Sequence, residues 1–292
     1  MRFDPARWLF QGVCRAVSNP GPDRAIRIGR RMGRAFGRVI RYRRADALDA
    51  LRKSFPAASE EHHRMVLREM YEHFGINLVE SLRMRSEPED TLRSSIVWDG
   101  LEILQRERER GRGVLVLTAH TGNWEMVCAA TPLFGLPLTI VAKPIHGRVL
   151  REHVHAVRTR FGLQVLPSRG AYRECLRVLK RNELLGFVLD QNMTRMEGVF
   201  VEFFGRPACT TPGLAHLSAR AQVRVVPVFM SRMAEGRHRI CVGTPMEPPA
   251  DTEPGTLLAA TQTYTRRIED FIRNHPAQWI WIHRRWKTQP PA

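Results

Sequence analysis

From about residue 98 onward the sequence alternates short, unbroken apolar runs with longer segments of helical spacing, and this alternation restricts the fold more than any other feature. The runs are GVLVLTAH (113–120), LTIVAKP (138–144), LQVLP (163–167), LLGFVLD (184–190) and VRVVPVF (223–229). A strand with one wet face alternates apolar and polar residues, whereas a parallel strand covered on both faces does not, so these runs predict buried parallel strands. The intervening NWEMVCAATPLF, GRVLREHVHAVRTRFG and GAYRECLRVLKRNE are long enough for crossover helices. The expected fold class is therefore α/β, a single mainly parallel sheet flanked by helices. No internal repeat or Gly/Ser linker divides it, which predicts one continuous domain over 96–292, preceded by a helical basic region over 1–95.

In that first region, DRAIRIGRRMGRAFGRVIRYRRA (23–45) sets Ile26, Ile28, Met32, Phe36, Val39 and Ile40 among many arginines at spacings that mostly share one helical stripe. Three readings fit such a segment: a helix packed on the domain, a basic arm on nucleic acid, or a helix lying in the headgroup layer of an anionic membrane. The next segment, 59–84, reads as a core helix with Ser59 as N-cap and Met65, Leu67, Met70, Phe74, Leu78 and Leu82 facing inward; its His62 and His63 are expected on the surface. The opening MRFDPARWLFQGVCRAVSNPG has no clean apolar core before a cleavage site and is read as retained. The longest uncharged stretch, the 17 residues Met126–Ala142, is interrupted by Pro132, Gly135 and Pro137, so it reads as helix, turn and strand and not as a membrane span.

Charge narrows the partners. Against 29 Asp and Glu stand 46 Lys and Arg, a net charge of +17 that draws anionic partners: nucleic acid, anionic lipid or acidic protein. The five cysteines are scattered and form no CxxC pair, which argues against a disulfide framework or a zinc site.

Chemistry is concentrated in LTAHTGNWEM (117–126), where a strand run stops at His120, turns through TGN and presents Glu125 in the first turn of a helix. Loops at the carboxyl ends of parallel strands are where α/β proteins gather reactive groups. A histidine there suits acyl transfer to an alcohol, because a hydroxyl of high pKa needs a base and the attacked carbonyl becomes an oxyanion. On this reading His120 takes the proton and Glu125 holds the other ring nitrogen; a strand-end histidine beside a helix whose dipole favours an acid explains the same residues without chemistry. No GxSxG elbow, GxxxxGK[ST] loop or GxGxxG turn is present, so direct transfer without a protein nucleophile is expected.

Further motifs join this one in a set order: RYRRADALDALRKSFP, HTGNWE (120–125), AKP (142–144), RTRFG (158–162), LDQN (189–192), FFGRPACTTPG (203–213), VVPVFMSR (225–232) and PAQWIWIHRRWK (276–287). In this order they resemble the late acyltransferases of lipid A biosynthesis, the lauroyl/myristoyl type, over nearly the whole chain. The resemblance implies a glycerol-phosphate-acyltransferase-like sheet and a His120/Glu125 dyad that activates a hydroxyl of a lipid A precursor. It also implies acyl carrier protein as donor partner, no cofactor, no metal, and a place on the cytoplasmic face of the inner membrane.

By the same resemblance Arg160, with Arg158 beside it, holds the oxyanion or an acceptor phosphate, and Lys143 and Asn123 complete the substrate-binding set. Asp190 is expected to pair with an arginine, since Asn192 stands where an acid is common in the family. Thr210 and Thr211 read as structural support. The tryptophans of QWIWIHRRWK suit either a headgroup interface or a final segment packed on the sheet. Two alternatives remain open: acyl-CoA as donor to another amphiphile, such as a phosphatidylinositol mannoside or ornithine lipid, and a basic nucleic-acid-binding protein. The second lacks any helix-turn-helix, zinc-finger or RNP signature, so nucleic acid is not an expected partner.

Overall fold

The computed structural model describes residues 5–145 and 147–291, so the first four residues of the opening stretch lie outside the described residues. Four helices come first: α1 (Pro5–Ser18), α2 (Pro22–Ala35), α3 (Arg44–Ser54) and α4 (Glu60–Arg83), with a π-helical turn at Phe36–Ile40. The short α5 (Glu89–Ser94) and strand β1 (Ile96–Asp99) lead through α6 (Leu101–Glu109) into β2 (Val114–Thr118). The alternation then runs α7 (Trp124–Leu133), β3 (Leu138–Ala142), α8 (Arg148–Arg160), β4 (Gln164–Pro167), α9 (Tyr172–Lys180) and β5 (Leu184–Val188). A hairpin of β6 (Val199–Phe203) and β7 (Arg206–Thr210) precedes α10 (Gly213–Ala221), β8 (Val225–Arg232), β9 (His238–Val242) and α11 (Pro254–Asn274).

All five apolar runs are strands of one seven-stranded sheet ordered β1-β9-β8-β2-β5-β3-β4. Every pair in it is parallel except β8 with β9. Successive strand residues point to opposite faces, and the burial follows suit. Leu115, Leu117, Leu185, Val225 and Phe229 share a core with α3, α4, α9, α10 and α11. Val114, Val116, Leu184, Val226 and Met230 share the opposite one with α6, α7 and α8. The core therefore runs across residue 95: Ala47, Leu51, Leu67 and Met70, all from the first region, are buried with the sheet.

Two expectations are corrected here, and one open alternative is decided. The 23–45 segment packs on the domain chiefly through small residues: Ala25, Gly29, Gly33 and Gly37 are its buried residues, Ile28 and Phe36 are half-buried against the core, and Val39 and Ile40 are exposed. A Cβ on Gly33 would stand 2.0 Å from the Tyr71 carbonyl oxygen, so the two backbones meet closer than any side chain allows. In α4, Ser59 does cap, its hydroxyl accepting from the His62 N–H at 3.2 Å. Met65 and Leu78 point outward, however, while His63 is buried with its Nε2 on the Phe55 carbonyl at 3.0 Å. Of the two readings of the C-terminal tryptophans, packing is the one observed: Trp279 and Trp281 are each 1% exposed, core residues and not a headgroup interface.

Candidate active site

The turn after β2 is fixed at every backbone group that counts. Gly122 has φ +53 and lies so close to β8 that a Cβ would stand 2.6 Å from the Met230 oxygen, which requires glycine. Its N–H donates to the Gln278 carbonyl at 3.0 Å, and its carbonyl accepts from Asn77 Nδ2 at 2.5 Å. Asn123 caps α7 by accepting from the Met126 N–H at 3.3 Å, and its Nδ2 donates to Glu80 at 2.8 Å. Glu80 is in turn gripped by both Arg232 guanidinium nitrogens, at 2.5 and 2.6 Å, while Arg232 also donates to Asn77 at 2.9 Å. Asn123 is thus a support of the turn, facing Glu80 and the start of the helix.

The imidazole of His120 is held by Asp190, not by Glu125. His120 Nδ1 lies 2.8 Å from Asp190 Oδ1, and the His120 backbone N–H donates to Oδ2 at 2.9 Å. Trp279 Nε1 donates to the same Oδ2 at 2.7 Å. The reason is register. β2 and β5 are adjacent and parallel with Thr118 opposite Val188, so the residues two positions beyond each strand, His120 and Asp190, emerge side by side. Glu125 instead leaves the first turn of α7 toward α8, where Arg158 Nη2 donates to it at 2.9 Å. The arginine partner expected for Asp190 is replaced by His120 and Trp279.

The electrostatics follow from this contact. Burial disfavours the charged forms of both groups, but the mutual charge and hydrogen bonds prevail: the Asp190 carboxyl is held well below the usual range, and the His120 pKa is raised by Asp190 with a smaller contribution from the Glu125 charge. With Nδ1–H committed to Asp190, Nε2 is the free base, and the Gln191 amide Nε2 approaches it at 3.3 Å. The Trp124 ring stands edge-on to the imidazole, centroids 5.2 Å apart.

Two cavities share His120 in their walls. One, about 120 Å³, is an apolar slot under α7 lined by Trp124, Val127, Cys128, Ile140, Leu184 and Gly186, with the Glu125–Arg158 pair also in its lining. Burial pushes the Cys128 thiol up to about 12, so it is a neutral wall residue. The other, about 480 Å³, is wider and more polar, bordered by Lys143, Ser168, Tyr172 and Gln191. Arg160 belongs to neither: it donates to the Met84 and Glu87 carbonyls at 2.7 and 2.6 Å, tying α8 to the segment before α5. Among the described residues no group of three or more His, Cys, Asp or Glu is placed to hold a metal ion.

Trp279 and Arg232 lie in motifs read from the sequence, QWIWIHRRWK and VVPVFMSR, and Asn77 and Glu80 in the α4 segment, but their part in holding the His120 turn was not legible there, because each meets it from a distant segment. The C-terminal segment also fixes the loop after Asp190. His283 Nε2 accepts from the Asn192 N–H at 2.9 Å, and Arg285, fully buried, donates to the Cys209 carbonyl at 2.8 Å and to Thr210. Thr210 is the structural support expected of it, and Thr211 Oγ1 accepts from the Gly213 N–H at the start of α10.

Comparison with known proteins adds the chemical context. Residues 4–288 match the family described as bacterial lipid A biosynthesis acyltransferase. The chain is 28% identical to the lipid A biosynthesis palmitoleoyltransferase of Escherichia coli K12, over 90% of this chain and 85% of that one. It is 25% identical to the myristoyltransferase of the same organism, over 98% and 88%. A phosphatidylinositol mannoside acyltransferase of Mycolicibacterium smegmatis is 26% identical over 94% and 83%. Among solved structures, a 1-acyl-sn-glycerophosphate acyltransferase from Thermotoga maritima aligns with a TM-score of 0.38 and 13% identity over 73% of this chain and 89% of that one.

Proposed function

Since the chain belongs to the bacterial lipid A biosynthesis acyltransferase family, we propose that it transfers a fatty acyl group from the thioester of acyl carrier protein to a hydroxyl of a lipid A precursor at the surface of the inner membrane, on its cytoplasmic side. The observation that supports this reading best is the Trp279–Asp190–His120 relay, whose free Nε2 stands where the apolar slot and the wider polar cavity meet. The carbonyl end of the acyl chain enters the slot and the acceptor hydroxyl approaches from the wider cavity, displacing the Gln191 amide from Nε2.

His120 Nε2 takes the hydroxyl proton as the oxygen attacks the thioester carbonyl, and Asp190 stabilises the imidazolium that forms. The tetrahedral intermediate then expels the thiolate, which takes the proton back from Nε2, leaving an ester and a free carrier thiol. Glu125 adds its charge from a distance and keeps Arg158 at the slot mouth. The excess of cations over acidic residues suits an acidic carrier, a phosphorylated glycolipid and an anionic bilayer alike. The association proposed is peripheral; among the described residues no helix is long and apolar enough to cross a membrane.

The mannoside-acylating relative keeps a second acceptor in view, a phosphatidylinositol mannoside, for which the alternative donor is acyl-CoA. Purified protein is incubated in detergent with either donor and either acceptor, and the products are weighed by mass spectrometry beside His120→Ala. A gain of one acyl mass on the lipid A precursor, from the carrier donor only and absent in the variant, is the expected result. Gain on the mannoside alone transfers the reading to that acceptor, and gain that survives His120→Ala refutes the base.

A further inference from the structure

A third concavity, about 230 Å³, lies away from the His120 turn and is lined by five arginines, Arg34, Arg38, Arg44, Arg64 and Arg68, beside Tyr71. They come from four segments: α2, the π-helical turn, the start of α3, and α4. Two are neutralised, Arg34 by Glu72 at 2.7 Å and Arg64 by Glu60 at 2.9 Å. Among the described residues Arg38, Arg44 and Arg68 have no carboxylate within ion-pair distance; the polar contact of the Arg44 side chain is a bond to the Gly37 carbonyl at 3.2 Å. Three uncompensated guanidinium groups around one hollow repel each other, and an anion with several oxygens removes that cost.

The wall of this hollow has an unusual backbone. The helix widens into a π turn at Phe36–Ile40, and Arg41 and Arg43 then hold left-handed conformations, φ 53 and 52, which non-glycine residues adopt at a cost. The result is a protruding turn with Val39 79%, Ile40 63% and Tyr42 46% exposed, bordered by Arg38, Arg41 and Arg43. Apolar side chains at a tip with arginines around its base match the layering of a membrane interface, acyl boundary first and phosphates above it.

We propose that this hollow binds the headgroup phosphate of an anionic phospholipid while Val39, Ile40 and Tyr42 enter the acyl boundary beside it. The proposal rests on the peripheral-membrane part of the function proposed above, but it requires no acyl transfer. A carrier protein's acidic helix would also meet the arginines, yet it would leave the bare apolar tip without a partner, and the tip is what favours lipid.

The test is vesicle sedimentation of the full chain with phosphatidylcholine alone and with phosphatidylglycerol added. The variants are Arg38→Glu/Arg68→Glu, Val39→Ser/Ile40→Ser, and a charge-matched Arg220→Glu/Arg267→Glu on α10 and α11. Each arginine at an anionic surface is worth about fivefold in binding, so the Arg38/Arg68 pair should lose at least about 25-fold on phosphatidylglycerol vesicles. The charge-matched pair should lose about twofold through long-range screening only. The serine pair should weaken vesicle binding without changing calorimetric binding of inorganic phosphate, and His120→Ala should bind vesicles like the parent protein. Equal losses in both charge-reversed pairs overturn the site. So does a phosphate titration that depends on Arg38 and Arg68 while vesicle binding does not, which would assign a free anion. Loss of carrier-protein binding with vesicle binding intact would assign the hollow to a protein partner. Failure of acyl transfer by the parent protein, with vesicle binding as expected, refutes the catalytic reading and leaves this one standing.

Discussion

Replacing Asp190 by asparagine separates the two carboxylates that surround His120. Asp190 receives three donors: Oδ2 takes the His120 backbone N–H at 2.9 Å and Trp279 Nε1–H at 2.7 Å, and Oδ1 faces His120 Nδ1 at 2.8 Å. The backbone and indole donors cannot reverse, so an asparagine must place its one oxygen on them and turn its NH₂ toward Nδ1. That forces Nδ1 to accept and moves the ring proton to Nε2, the atom that should receive the substrate proton. A base locked in the wrong tautomer, without the charge that stabilises its imidazolium, loses roughly 10³- to 10⁴-fold in kcat, about 4–5.5 kcal/mol of barrier.

Glu125→Gln acts differently. It leaves the relay intact, removes a charge at a distance and releases Arg158, for a loss of about ten- to a hundredfold, near one charge-assisted hydrogen bond. The pH profile gives an independent reading. Because Asp190 raises the His120 pKa, the acid limb of kcat/KM should lie above the ordinary imidazole value of about 6.5, and Glu125→Gln should lower it only slightly. Steady-state rates of all three proteins between pH 5 and 9 decide the matter. An Asp190→Asn variant that keeps more than a tenth of parental kcat, with Glu125→Gln the more damaged of the two, would refute the assignment of Asp190 as orienting group.

Two further predictions concern the support of the site. Glu80→Gln leaves the Arg232 guanidinium buried without its carboxylate, which should cost about 3–5 kcal/mol in urea unfolding; a loss under 1 kcal/mol would show the pair to be dispensable. Stability should also fall on mild acidification. Burial lowers the His73 and His283 pKa values to about 4, so the unfolded chain binds more protons between about 6.5 and 4, and each histidine removes up to about 1.4 kcal/mol per pH unit as pH falls through that window. The depressed carboxyls of Asp190 and Glu80 stabilise fully above about pH 4 and lose that stabilisation only below it. His120, with its raised value, contributes in the opposite sense, fully below about 6.5 and lost as pH rises through its folded value. The urea midpoint should therefore decline from pH 6.5 to 4.5, less steeply in His283→Asn, and a flat midpoint would contradict the burial argument.

What could be read from the sequence is what depends on neighbours along the chain. The five apolar runs, the Ser59 and Asn123 caps and the position of His120 at a strand end all follow from local pattern. β1, β6, β7 and β9 are not legible as strands, because IVWD is short and HRICV, VFVEF and RPACT lack the run of several consecutive apolar residues that marks the buried strands. Likewise, the glycine face of α2 could not be told from its apolar stripe without knowing that the Gly75 backbone lay opposite. Pairing His120 with Glu125 was the natural reading of adjacent letters, and the sheet overrode it through strand order, which no single segment encodes.

That strand order also explains why the turn is so firmly held. β2 lies between β5 and β8, and all three are parallel, so both neighbours deliver their carboxyl ends to the same edge as His120. β5 is followed by Asp190, which orients the ring. β8 ends in Arg232, which grips Glu80, and Glu80 with Asn77 fixes Asn123 and Gly122. One neighbour thus sets the imidazole and the other sets the backbone that carries it. A helix-borne acid such as Glu125 depends on the tilt of α7, whereas an acid at the end of a hydrogen-bonded neighbouring strand inherits the register of the sheet. An aligned proton relay needs tolerances of a few tenths of an ångström, and strand register is the more rigid reference.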